Sequence, residues 1–152
     1  MDNAMHTGEL MYELALQFTA IDEFGVSFGG LLSGQETPPP EGARFDAHVT
    51  GTAKGKGVDC TVEGTDYLAV RADGKFILHI HGAMTAATGE RVSFFIPGQG
   101  FVGDDGFFYL REMIEHHTSH EPFKWMNMMN GFIEGKVNPG TGELAIKVFA
   151  VR

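Results

Sequence analysis

Leu10-Met11-Tyr12-Glu13-Leu14-Ala15-Leu16-Gln17-Phe18-Thr19-Ala20 sets the reading of the whole chain. Leu10, Tyr12, Leu14, Leu16 and Phe18 fall at every second position, the period of a strand with one buried face and not of a helix. Working outward, alternation returns over residues 44–52, and further strands are expected over 58–62, 66–72, 75–85, 91–96, 107–117, 124–137 and 143–151. Turn signals separate them: Gly55-Lys56-Gly57, Asp73-Gly74, Thr88-Gly89 and Asn138-Pro139-Gly140-Thr141-Gly142. Asp-Gly marks a hairpin because its tight primed turn needs positive φ, which those residues tolerate. Residues 112–116 could be taken as helical, but Phe107, Phe108 and Tyr109 beside them favour a strand. Residues 22–42, with Gly29-Gly30, Ser33-Gly34 and Pro38-Pro39-Pro40, sustain no pattern and read as a long mobile loop with at most a short helical turn. Eight or nine short strands without a crossover helix predict an all-β, antiparallel barrel or sandwich, a single domain over residues 1–152.

The bulk properties narrow the function. One ordinary domain's worth of chain, 152 residues, is enough to bury a single core. A net charge of −9 with 11 Lys and Arg leaves no basic face for the phosphates of a nucleic acid. Cys60 is the one cysteine, so no internal disulfide is available, and a reducing compartment, the cytoplasm, is expected. Residues 1–6 lack a basic region followed by an apolar run, and no apolar stretch approaches the roughly twenty residues of a spanning helix, so no membrane partner is expected. Twenty-one glycines and thirteen phenylalanines suggest tight turns around an aromatic interior.

Five of the seven histidines lie in Leu78-His79-Ile80-His81-Gly82 and Glu115-His116-His117-Thr118-Ser119-His120-Glu121, where any chemistry is expected. Two apart on a strand, His79 and His81 project from one face at roughly 6 to 7 Å, within reach of a common ligand. Glu115 and His117 repeat that spacing, so His79, His81 and His117 form a transition-metal set as an alternative. The cupin pattern fits poorly, since the first carboxylate after His81 is Glu90, across a turn. The competing arrangement puts Phe76, Leu78 and Ile80 in the core and both histidines outside, and alternation alone leaves the two open. Glu115 with His116 or His117 is a further acid–base candidate, against which stands a charged surface turn. Cys60 has no accompanying nucleophile signature, and Gly55-Lys56-Gly57 precedes a strand rather than the helix a phosphate loop needs. On the strand expected over 124–137, Trp125, Asn127, Met129 and Ile133 share a face. A buried Asn127 there is satisfied either by backbone or by a molecule in a cavity.

Residues 64–74, Gly-Thr-Asp-Tyr-Leu-Ala-Val-Arg-Ala-Asp-Gly, resemble the Gly-x-Asp-Trp…Val-Arg-x-Asp-Gly segment of a mainly bacterial family, the domain of unknown function numbered 3237. Gly42-Ala43-Arg44 with Val49-Thr50-Gly51, Thr88-Gly89-Glu90 and Glu121-Pro122-Phe123-Lys124-Trp125-Met126-Asn127 resemble further motifs of it, in the same order. The resemblance implies a compact β-barrel, similar in outline to calycin and allene-oxide-cyclase barrels, with an internal cavity and often a homo-oligomeric assembly. It implies that Arg44, Asp66, Trp125 and Asn127 line or support that cavity, and that the long loop caps its mouth. Tyr67 stands where the family has tryptophan and His81 where it has arginine, which would exchange a fixed charge for a titratable one.

Together these readings predict a barrel that binds a small apolar or aromatic molecule, with isomerisation, cyclisation or elimination of a carbonyl compound by proton transfer as the expected chemistry. His81, His79 and Asp66 are the expected catalytic acid and base groups. Arg44 and Asn127 are the expected holders of a carbonyl or carboxylate, and Trp125 and Tyr67 the aromatic walls. No metal or other cofactor is expected. The alternatives are a non-catalytic carrier using the same cavity and a metal-dependent enzyme using His79, His81 and His117.

Overall fold

A strand with one apolar face can hide it only if its sheet rolls up or meets a second layer. In the computed structural model, which describes residues 8–151, the sheet rolls up. The targeting reading of residues 1–6 falls outside that range. The strands are β1 (Glu9–Glu23), β2 (Ala43–Gly55), β3 (Val58–Val70), β4 (Phe76–Ala86), β5 (Arg91–Val102), β6 (Phe108–His117), β7 (Asn130–Asn138) and β8 (Glu143–Val151). Each pairs antiparallel with the next, and β8 returns to β1, closing an eight-stranded up-and-down barrel that leaves no sheet edge.

Alternation carries through to burial. Tyr12, Leu14 and Leu16 on β1, Phe45, Ala47 and Val49 on β2, and Phe76, Leu78 and Ile80 on β4 all enter one core. The outer face presents Glu13, Gln17, Lys54, Asp59, Glu63, Arg91 and Lys147, polar where a lipid-facing barrel would be apolar. Among the described residues no helix is long and apolar enough to cross a membrane.

Both barrel ends are plugged. Residues 24–42 are built around a helix, α1 (Phe28–Ser33), which inserts Phe28 and Leu31 into the core at one mouth. Ser27 caps it by accepting the Gly30 N–H at 3.0 Å, and Glu23 accepts the Phe28 N–H at 2.7 Å. Gly34, at φ 77°, ends it in the left-handed conformation that suits glycine. The Phe28 ring meets Phe45 edge-on at 5.1 Å. The segment read as a long mobile loop is thus a tethered cap, and it begins later than expected because Ile21, Asp22 and Glu23 still pair with β2.

The other end is closed by a 3-10 helix, Glu121–Met128, in place of the strand expected from residue 124. Pro122 sits in its first turn, where a missing N–H costs nothing, and Phe123 and Met126, three apart, turn inward together. Two further differences concern β3 and β5. The strands expected over 58–62 and 66–72 are one, because Gly64 keeps the ladder between Val49 and Gly82. β5 runs through Pro97, and its pairing with β6 lapses at Ile96 and Pro97, where proline offers no N–H.

Candidate functional site

Among the described residues, the buried polar and charged side chains are Asp66, Glu112, His116 and Thr118. Asp66 follows the inward face of β3 with Val62 and Leu68, and its Oδ1 accepts the His79 N–H at 2.9 Å. That bond fills a gap in the ladder, since β3 and β4 carry no pairing at Tyr67 and Leu68. Burial pushes the Asp66 carboxyl up to about 7, against the pull of the His79 amide, so it titrates near neutrality.

Among the described residues Asp66 is the only charged group lining a small internal cavity of about 30 Å³. Leu16, Phe28, Leu32, Leu78, Phe108 and Leu144 contribute to its apolar walls. Closed in this way, the space suits about one water molecule.

Glu112 enters the interior from β6, between Leu110 and Ile114, with 5% of its surface exposed. Neither carboxyl oxygen has a hydrogen-bond partner. Its side chain lies over Gly98: a methyl group there would sit 2.6 Å from both Cα and Cγ of Glu112. Gly98 pairs in turn with Leu78 of β4. Burial first, and then the Asp66 charge, push the Glu112 carboxyl well above the usual range. At the other end of the barrel Tyr12 Oη and His116 Nε2 share a hydrogen bond of 2.6 Å. Burial raises the Tyr12 hydroxyl and lowers the His116 imidazole to about 4, so both are neutral at pH 7. His116 Nδ1 is left without a partner.

Of the residues expected at the site, only Asp66 is inside. His79 and His81 are exposed on the outer face, their Nε2 atoms 2.9 Å apart, with Phe95 stacked on His81 at 4.8 Å. The arrangement with Phe76, Leu78 and Ile80 in the core is the one adopted, because burying three wholly hydrocarbon side chains gains more than burying two imidazoles. His117 pairs with Ser93 and not with the β5 residues beside His79 or His81, and among the described residues no group of three His, Cys, Asp or Glu is placed to hold a metal ion. Arg44 lies outside too, pairing with Asp46 at 3.0 Å and donating to the Leu68 carbonyl at 3.1 Å. It lines an open surface groove with Phe24, Pro40 and Arg71. Tyr67 and Trp125 are 46% and 40% exposed and form no interior wall. Asn127 clasps the Thr118 backbone, accepting its N–H at 2.9 Å and donating to its carbonyl at 2.8 Å, so backbone alone satisfies it.

No protein-family model and no curated protein matches the chain. Solved structures do, among them the following three. A protein of unknown function from Clostridium acetobutylicum ATCC 824 superposes with a TM-score of 0.77 at 18% identity, over 95% of this chain and 98% of that one. A β-barrel-like protein from Acinetobacter baumannii AYE gives 0.77 at 15%, over 95% of each chain. A conserved protein of unknown function from Rhodopseudomonas palustris gives 0.75 at 16%, over 95% and 96%. What they share with this chain is the barrel fold.

Glu112 and His116 were within reach of pattern reading. On a strand that buries Phe108 and Leu110, period two also turns in residues 112, 114 and 116. The neighbouring cluster of outward charges, Glu115 and His117, masks that signal.

Proposed function

We propose that this chain is a small-molecule-binding β-barrel whose ligand sits inside, under α1, against Asp66. The observation that carries this reading is a single carboxyl lining an otherwise apolar enclosure, close to its ionisation point at neutral pH. Apolar walls supply affinity through burial, and one polar group fixes orientation. A carboxyl near pKa 7 also takes and returns a proton readily, the capacity that an isomerase, cyclase or lyase requires. With His79, His81 and Arg44 outside, Asp66 is the acid–base group of this proposal, and Glu112 its neighbour.

The closed cavity is too small for a ligand, so entry requires α1 to withdraw Phe28 and Leu32 from the mouth. Its position on a connection between strands, rather than in the ladder, lets it move without breaking the barrel. The family resemblance, in which Asp66 is a cavity residue, and the buried, unpaired Cys60, which suits the cytoplasm, agree with this reading.

Indole serves as a probe in a ¹⁵N–¹H NMR titration at pH 7. Saturable binding with shifts concentrated on α1 and on the cavity-lining residues is expected. Shifts confined to the outer face around His79 and His81, or no saturable binding up to the solubility of indole, would overturn the proposal.

A further inference from the structure

We infer that His79 and His81 form a surface chelate for a divalent transition ion that takes nitrogen donors at adjacent corners of a square, Cu²⁺ or Ni²⁺. This site lies on the outer face of β4 and is independent of the interior reading above.

Successive outward positions on a strand stand roughly 6 to 7 Å apart. The two rings nevertheless lean together, their centroids 4.9 Å and their Nε2 atoms 2.9 Å apart. Nε2 is one of the two atoms through which neutral imidazole binds a metal. With metal–nitrogen bonds of about 2.0–2.1 Å, nitrogens at adjacent corners of a square stand about 2.9 Å apart, and those on a tetrahedron about 3.4 Å. The observed separation is that of the square, the geometry of Cu²⁺ and Ni²⁺ among nitrogen and oxygen donors. Without an ion, one Nε2 must donate to the other, so a proton occupies the point where both rings aim.

The ladder holds this pair in place. His81 lies between Thr65 of β3 and Phe95 of β5, and His79 beside Pro97. The Phe95 ring is 4.8 Å from each imidazole, stacked on His81 and tilted against His79, which limits how far either can swing. Both histidines are exposed, so an ion reaches them directly and fills its remaining positions with water. The net charge of −9 favours the approach of a cation. Other histidines do not complete the set. His48 has Nδ1 engaged by Thr65 and Nε2 by Asp22, each at 2.9 Å, and His117 pairs with Ser93. Two protein donors with water in the other positions make an exchangeable surface site, unlike the four-donor closed sites that stabilise folds.

Titration of the untagged full chain at pH 7 with Cu²⁺, Ni²⁺ and Zn²⁺ tests the inference, with paramagnetic broadening of the ¹⁵N–¹H spectrum locating Cu²⁺ and electron paramagnetic resonance counting its nitrogens. One Cu²⁺ per chain is expected, with broadening centred on His79, His81 and Phe95 and a signal split by two imidazole nitrogens. Cu²⁺ should be held at least about tenfold more tightly than Zn²⁺. His79→Ala and His81→Ala, both outward and tolerated by the fold, should each weaken Cu²⁺ by at least about tenfold. His117→Ala should leave its affinity unchanged. Broadening centred away from β4, unchanged affinity in either single variant, or Zn²⁺ held as tightly as Cu²⁺ would overturn the inference. So would weakened binding in His117→Ala, which would reveal a third donor.

Discussion

Asp66→Asn isolates the buried carboxyl on which the site depends. The folded protein holds this proton until about pH 7, whereas the unfolded chain releases it near 3.8. Because the folded state binds the proton more tightly, the stability contributed is fully present below about pH 3.8 and declines as pH rises toward 7, where the loss levels off. Three pKa units correspond to about 4 kcal/mol. Asparagine cannot ionise and still offers an oxygen to the His79 amide, so the variant should lack this slope. Urea unfolding at pH 4.5, 6, 7 and 8 reads the effect. The variant should lie closest to the parent at pH 4.5 and gain on it progressively up to pH 8, by a few kcal/mol. A stability difference between the two that stays constant from pH 4.5 to 8 would refute the reasoning, since it would mean that Asp66 titrates alike in both states.

The remaining predictions address individual contacts. Asn127→Ala strips both hydrogen bonds from the Thr118 backbone and should cost about 2 kcal/mol in urea unfolding while leaving interior probe binding in place. Gly98→Ala drives a methyl group into Glu112 and should lower stability by about 1–3 kcal/mol, read by thermal melting, with the Glu112 amide among those most shifted. The double change His79→Ala with His81→Ala removes only outward side chains, and titration with indole should give the parent affinity, with stability changed by about 0.5 kcal/mol or less. Burial pushes the Cys60 thiol up, so Ellman's reagent should label the native protein far more slowly than the urea-unfolded chain.

The barrel was legible because each strand needed only one buried face, and period two shows that face directly. Where the pattern misled, the backbone departed from simple pairing. Leu10 is exposed because the register with β8 shifts between Leu10 and Tyr12, and Phe18 is only partly buried beside the shift between Phe18 and Ala20. At Trp125 and Asn127 an apparent alternation belongs to a 3-10 turn, in which every third residue shares a face.

The candidate site was legible in part for the same reason. Asp66 shares the inward parity of Val62 and Leu68, and Glu112 that of Leu110 and Ile114. Which parity faces inward along β4 is a competition between Phe76, Leu78 and Ile80 on one side and His79 and His81 on the other, settled by packing with strands far away in sequence. The missing partner of Glu112 has no sequence signal at all. It depends on Gly98, fourteen positions earlier, lying alongside on β5.

The central claim is that the interior, and not the histidine-bearing outer face, receives the ligand. A crystal structure of the protein soaked with indole separates the two. α1 should be displaced, with the ring among Leu78, Phe108 and Leu110 and the indole N–H within hydrogen-bonding distance of Asp66. An unchanged, closed interior with indole seated only beside His79 and His81, or in the groove at Arg44 and Arg71, would contradict interior binding.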